Sequence, residues 1–579
     1  MQAGKVRNKV DFTLAPEDLF LNPRVEAGMT LLETPEFIWR PVPPARISGF
    51  AASAFYGINA KLNGLIRSAE RTRKFTRAVE YNSVPVLLED ARYVKSYKMS
   101  RDRLVLSGAA GARMLNRYRW ENENGLFDPQ ERLSDYFARC QGEEGELPVL
   151  SGQLETDICF AVECRNTFNY YHFITESLSQ LTVLDDLDFT GDIYFHFPNS
   201  EDKQLPFARK FVDALFPEFA DRVFFERAPK DYDRVLTAYD LIGGHFQAPL
   251  SAVERINRFV QDPVREQGGI TDLRARVALA VNSVNTALFK LRQRALAAIE
   301  GKDFSHLPKR FFVGRDSRQS RERQMEGEDT LFEHLKMFDF EYVVFESLEP
   351  LEQIALMAGA EMMVSYHGAG FTNMLFANPE AYVIEIGTIQ TARFRWGDFW
   401  PLAHASGCRY INFFCDLRTE TPETEPDFQR DGLVPVAMSD QAIGRVMAFV
   451  VSLLNQHPTF STPATLSDLA RELLTVGAPA QAVSLLENHS DLVARHVDLC
   501  LLQADCHKDL DEPKSELLAL DRAHKADPSR WQTLVRMIWC ANRCERPQVI
   551  RWALSRLKAD FPERHDAFVS NHEWVRYVA

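Results

Sequence analysis

The 579-residue sequence has no surplus of positive charge, no membrane-length apolar run and no closely paired cysteines. Lys and Arg number 67 against 81 Asp and Glu, a formal charge of −14 and the wrong sign for a protein that coats nucleic acid. A local basic groove for a small anion is untouched by that argument, since net charge constrains non-specific partners and not sites. The best apolar run, residues 446–454, falls far short of the ~20 residues that cross a bilayer. The N-terminal stretch lacks the charged start and apolar middle of a signal peptide. The nine cysteines are odd in number and scattered, with no C-x-x-C pair, so neither a zinc ribbon nor a disulfide framework is expected. Reduced thiols in a cytoplasmic protein, peripheral at the inner face of a membrane at most, are the expectation.

What is present is an ordinary globular composition: 45% hydrophobic, 11% aromatic and 26% charged residues. Four regions are expected: 1–150, feeding a first lobe; 151–300, that lobe; 301–457, a second lobe; and 458–579, an all-α module. Between residues 190 and 415 short β-rich runs alternate with helical patterns. The first set has strands at 192–197, 223–226 and 235–242, with helices at 205–215, 251–267 and 276–300, the last long enough to bridge two lobes. The second has strands at 309–314, 342–345, 361–365, 382–386 and 410–414, with helices at 351–358 and after Gly370. Such alternation predicts an α/β fold of parallel sheets covered on both faces, two Rossmann-like lobes facing a cleft. Strands at 86–94 and 103–107 feed the first lobe.

The C-terminal module has a period. Pro479, Pro513 and Pro547 stand 34 residues apart, each opening a helical stretch. Leu486, Leu520 and Leu554 keep the spacing, as do Leu466, Cys500 and Leu534 in the preceding helices. A 34-residue helix-pair period resembles tetratricopeptide repeats, and implies a protein partner or self-association through this module.

Three segments carry chemistry. In the first, His367, Gly368, Ala369, Gly370, Thr372 and Asn373 lie between an apolar strand and an apolar helix, at the carboxyl end where open α/β sheets bind ligands. The glycines admit close backbone approach, and the helix start offers free N–H groups to an anion. Glu385, near the end of the next strand, is placed to accept the hydroxyls of a ribose. In the second, Arg315 leaves a strand on the same side, its planar guanidinium suited to a diphosphate; Arg318 and Arg321 follow in the same basic loop. In the third, His172 and Glu176 are four apart on a helix that Asn169 can cap, a workable acid/base pair.

Together these segments resemble glycosyltransferase family 61, whose bacterial members are often labelled capsular-polysaccharide biosynthesis proteins. The similar stretches are NYYHFITESL, FFVGRDSRQSR and the run LEQIALMAGAEMMVSYHGAGFTNMLFANPEAYVIEIG. The resemblance implies a two-lobed GT-B type fold and inverting, metal-independent transfer from a nucleotide sugar to a glycan acceptor, with no cofactor. It implies His172 or Glu176 as acceptor-side base with Asn169 positioning, and Arg315, Arg318, His367, Gly368, Ala369, Gly370, Thr372 and Asn373 around the phosphates. Phe371 and Phe173 replace the family's usual Leu and Trp, and the Asn-Glu pair common after the basic loop has no clear counterpart, which leaves Glu326 and Glu328 without a role. Asp-x-Asp triplets at Asp186/Asp188, Asp231/Asp233 and Asp509/Asp511 read as solvated loops. A serine hydrolase is excluded by the lack of any G-x-S-x-G elbow, and Leu106–Gly111 lacks full dinucleotide-binding spacing. The main rival is an inactive transferase-like scaffold acting through its repeats. A basic amphipathic stretch at 67–77 offers a contact to anionic lipid or a polymeric acceptor.

Overall fold

The computed structural model describes residues 10–33, 40–74, 77–142, 147–165, 169–198, 206–240, 279–315, 325–460 and 462–577. The chain divides into two compact units, one of Met1–Glu328 with Asp339–Ala437, the other of Asp329–Phe338 with Met438–Ala579.

The first unit holds two large sheets. One runs in the order Val223–Arg227, Ile193–Phe197, Phe160–Glu163, Lys230–Asp240, Ser83–Val94, Tyr97–Ser100, Arg103–Leu104, with Met29–Leu31 also paired to Ser83–Val94. It is parallel from Val223–Arg227 to Lys230–Asp240 and antiparallel beyond, where Lys230 pairs with Tyr93 and Asp240 with Ser83. A wholly parallel sheet was the expectation. On its antiparallel side the sheet is built by Ser83–Val94, Tyr97–Ser100 and Arg103–Leu104, successive strands joined by turns too short for a parallel crossover.

The other sheet is parallel throughout, in the order Glu341–Val343, Arg310–Val313, Met362–Tyr366, Tyr382–Gly387, Arg409–Phe414, Arg46–Ala51. Five of these strands match the expected runs within a few residues; Arg46–Ala51 was not anticipated. The strands are near-continuously apolar because both faces are covered: Phe311, Met363, Val383 and Tyr410 are fully buried. They join Phe160, Phe195 and Leu236 of the first sheet in one hydrophobic cluster. Burial of each such side chain stabilises the fold by about 1.5–3 kcal/mol.

The helix Thr286–Ile299 is shorter than expected and is capped by Asn285, whose Oδ1 accepts from the Ala287 N–H at 2.6 Å. Its Arg292 donates to the Leu375 carbonyl at 2.6 Å, and its Arg294 to Asp185 at 2.6 Å, so it ties a connection between strands of one sheet to one of the other. The expected helix at 251–267 and residues 276–278 lie outside the described residues. The basic stretch begins in the helix Tyr56–Thr72.

In the second unit Pro479, Pro513 and Pro547 each open a helix, Pro479–Asn488, Pro513–Ala526 and Pro547–Asp560. The residues kept at the period, Leu466, Cys500, Leu534, Leu486, Leu520 and Leu554, are all buried. Among the described residues no helix is long and apolar enough to cross a membrane.

Candidate active site

In the parallel sheet, Arg310–Val313 lies between Glu341–Val343, which follows it in sequence, and Met362–Tyr366, which comes after both. Connections therefore leave Arg310–Val313 and Met362–Tyr366 in opposite directions, a topological switch point at whose carboxyl ends α/β sheets bind ligands. Arg315 follows one of these strands and His367–Gly370 the other. Arg315 Nη2 donates to the His367 carbonyl at 2.7 Å, and its guanidinium lies 4.9 Å from the Tyr366 ring centroid. A Cβ on Gly368 would stand 2.5 Å from that Nη2, so the close approach needs glycine here.

The helix after the turn, Ala369–Phe376, is a 3₁₀ helix. Ala369 and Gly370 are partly exposed, whereas Thr372 and Asn373 are fully buried. Asn373 Nδ2 donates to Gln353 Oε1 at 3.2 Å, and its Oδ1 accepts from the Tyr170 hydroxyl at 2.6 Å. The Asn373 amide is thus committed inside the protein, not offered to a phosphate as expected. Glu385 also differs from its expected role. It is fully buried, Oε1 lies 2.6 Å from His367 Nδ1, and Oε2 accepts from Tyr410 and, at 3.0 Å, from Asn412 Nδ2. With both oxygens taken, it orients the His367 ring and has none left for a ribose. Its enclosure depends on the neighbouring strand, where Asn412 stands in register beside it. Arg318 and Arg321 lie outside the described residues.

The His172 segment begins as expected: Asn169 Oδ1 accepts from the His172 N–H at 3.4 Å, capping Tyr170–His172. The chain then turns through a π-helix, Phe173–Ser177, and a 3₁₀ helix, Leu178–Leu184, where a plain α-helix was expected. Single π turns are frequent at functional sites. His172 Nδ1 lies 2.7 Å from Glu176 Oε1. Arg113 Nη1 is 3.5 Å from Glu176 Oε2, and Arg165 Nη1 3.6 Å from Oε1. Burial pushes the Glu176 carboxyl up, but the hydrogen bond from His172 and the charges of His172, Arg113 and Arg165 outweigh it and hold it below the usual range. Burial lowers Arg113 in turn.

The structure brings the two motifs together. Besides the Tyr170–Asn373 bond, Tyr171 donates to the Asp398 carbonyl at 3.1 Å and packs edge-on against Phe399, whose ring centroid is also 5.4 Å from that of His367. Sequence reasoning missed Phe399, Tyr410 and Asn412, which carry no local signal. It also missed Arg113, which lies on the helix Gly108–Glu121 after the Leu106–Gly111 stretch set aside above. Beside Glu176 opens a cavity of about 330 Å³, bordered by Tyr171, Thr175, Arg113 and the start of that helix; the His367–Asn373 turn does not line it.

Of the Asp-x-Asp triplets, Asp186 pairs with Lys290 at 2.8 Å, whereas Asp231 and Asp233, expected in a solvated loop, stand on the strand Lys230–Asp240, with Asp231 paired to Arg92 at 2.5 Å. Glu328 accepts from the Tyr342 hydroxyl at 2.6 Å. Among the described residues no group of three His, Cys, Asp or Glu side chains converges as metal ligands would.

No curated protein matches the chain. Among solved structures, a crystal structure of MamA is similar at 16% identity over 17% of this chain, with a TM-score of 0.16 that carries no argument; the match spans 58% of MamA, less than two thirds of it. Residues 170–384, from the tyrosine that touches Asn373 to the residue before Glu385, match the family model of Glycosyltransferase 61.

Proposed function

We propose that the protein transfers a sugar from a nucleotide-sugar donor to a glycan acceptor with inversion at the anomeric carbon and without a metal. The observation that carries this reading is the Tyr170–Asn373 hydrogen bond, which fastens the His172–Glu176 pair to the turn at the switch point. In an inverting transfer the acceptor hydroxyl attacks opposite the departing nucleoside diphosphate and loses its proton to a base. The His172–Glu176 pair supplies that base: with Nδ1 against Glu176, His172 has Nε2 to receive a proton, and Glu176 either stabilises the imidazolium or takes the proton itself. Charge developing on the diphosphate is met by Arg315, His367 and backbone N–H groups of the turn at Gly368–Gly370. Glu385 acts on this chemistry through His367, as a positioning residue.

On this reading the two large sheets are the two lobes of a GT-B type enzyme. The acceptor belongs to a capsular or other surface polysaccharide made from the cytoplasmic side. The C-terminal helices are tetratricopeptide-like repeats that dock a partner or a second copy.

The test is the thermal shift produced by nucleoside diphosphates on wild type and Arg315→Ala. A diphosphate at a hundred times its Kd stabilises the wild type by about 2.7 kcal/mol. Arg315→Ala loses most of that shift. No shift in either protein would leave the inactive-scaffold reading in its place.

A further inference from the structure

The cavity beside Glu176 is lined on one side by Tyr171, Thr175 and Glu176 and on the other by parts of the chain outside the motifs: Asn116 and Arg119 on the helix Gly108–Glu121, and Asp240 and Asn285 beyond it. Most of its lining is apolar surface, but polar side chains stand among it, and several of their atoms are buried without partners. Arg113 Nε, Arg119 Nε and Gln180 Oε1 are each buried with no hydrogen-bond partner. An unmade hydrogen bond at a buried group is costly, and buried polar atoms are seldom left alone. All three belong to side chains that line a cavity open to a ligand.

The charges say which kind. The acidic residues of the walls are engaged: Glu176 by His172, Arg113 and Arg165; Glu163 by Lys98; Asp240 by Asn285 Nδ2 at 2.5 Å. Arg119 is the exception among the cations. Its Nη2 donates to Asn116 Oδ1, a neutral amide, and among the described residues it forms no ion pair. Burial lowers its pKa with no carboxylate to offset the effect. A guanidinium is suited to grip a carboxylate at two oxygens. Next along the helix, outside the cavity lining, Trp120 is 73% exposed, a flat apolar ring on the surface. From Arg113 to Trp120 the helix rises about 10 Å, long enough for linked sugar rings.

We infer that this cavity is the acceptor site, and that the acceptor is an acidic glycan whose carboxylate pairs with Arg119 while the chain continues past Trp120. The inference rests on the transferase reading for its orientation, since it sets the reacting hydroxyl at the Glu176 edge, but its test needs no donor. Galacturonate and glucuronate oligomers are titrated into the full-length protein by calorimetry, each beside its methyl ester, which has the same chain and no charge. At least one acid is expected to bind ten times or more tighter than its ester. Arg119→Gln abolishes that preference, Arg119→Lys keeps part of it, and Trp120→Ala, on the surface, weakens acid and ester alike. Equal binding of acid and ester, no binding of any oligomer, or a preference that survives Arg119→Gln would overturn the inference. The nucleoside diphosphate shift of Arg119→Gln, expected at wild-type size, reports separately on folding and on the donor site, so a failed acceptor assignment is distinguishable from a failed transferase reading.

Discussion

Tyr170 and Asn373, 203 positions apart in the sequence, share a 2.6 Å hydrogen bond. One opens the turn that carries His172 and Glu176; the other lies in the helix that follows His367. The bond joins two short motifs, each with a modest signal alone, into one site.

Tyr170→Phe removes that bond and leaves Asn373 Oδ1 buried without its donor. A loss of about 1–2 kcal/mol in unfolding free energy is expected from urea titration. Transfer falls with it, because the acid/base pair is no longer fixed against the turn. Unchanged stability and unchanged transfer would show the contact to be incidental.

Glu176→Gln and His172→Ala each lower the transfer rate at least about a hundredfold, the usual weight of a general base. Diphosphate affinity stays within a factor of about two, since neither residue reaches the diphosphate in the proposed arrangement. Single-turnover kinetics alongside equilibrium binding of the nucleotide separate the two effects. Normal turnover by both variants would remove the base assignment.

Gly368→Ala places a methyl group where Arg315 Nη2 now sits, 2.5 Å from the new carbon. The arginine must swing away, breaking its bond to the His367 carbonyl. Because only the end of a flexible side chain is displaced, the fold survives. Diphosphate affinity drops about tenfold, the scale of one charge-assisted hydrogen bond. A fluorescent nucleotide competition assay measures the drop; an affinity equal to wild type would sever Arg315 from the donor.

Glu385→Gln turns one acceptor oxygen into a donor within a group that already contains the Tyr410 hydroxyl and the Asn412 amide as donors. The mismatch costs about 1–3 kcal/mol of stability. It also frees the His367 ring, so KM for the donor rises more than kcat falls. A stability loss without any change in KM would limit Glu385 to a packing role.

His196 governs a pH dependence. It is fully buried, its Nε2 lies 2.6 Å from the Tyr232 hydroxyl, and burial, with the nearby charge of Lys230, pushes its pKa down from 6.5 to about 4. The unfolded chain therefore binds a proton between about pH 6.5 and pH 4 that the folded chain refuses. Stability must fall as pH drops through that window, by up to about 3 kcal/mol from this group. His404, buried and pushed down to about 3, adds in the same direction. Urea midpoints from pH 7 to 4.5 follow the trend, and His196→Gln flattens it; a variant with the wild-type slope would rule out this source.

Elements with a periodic or continuous apolar signal could be read before folding. The parallel strands from Arg310–Val313 to Arg409–Phe414 are apolar along their length because both faces are covered, and the prolines at 34-residue spacing open their helices. The positions of Arg315 and His367–Gly370 followed, since a ligand loop comes after a strand of a parallel sheet. Arg46–Ala51 escaped notice because a short edge strand containing glycine has no period of its own and is defined by its partner, Arg409–Phe414. Glu385 was misread for a related reason: at a strand end, exposure and burial look alike until the adjacent strand supplies Tyr410 and Asn412.

By itself the sequence determined which residue types stand at the ends of which strands, because that follows from local patterns of apolarity and from turn chemistry. Only the tertiary structure decided which side chains meet. Tyr170 with Asn373, Arg113 with Glu176 and Glu385 with His367 are contacts between distant segments, set by strand order and register. No short-range pattern encodes those, since each depends on burying the whole core at once.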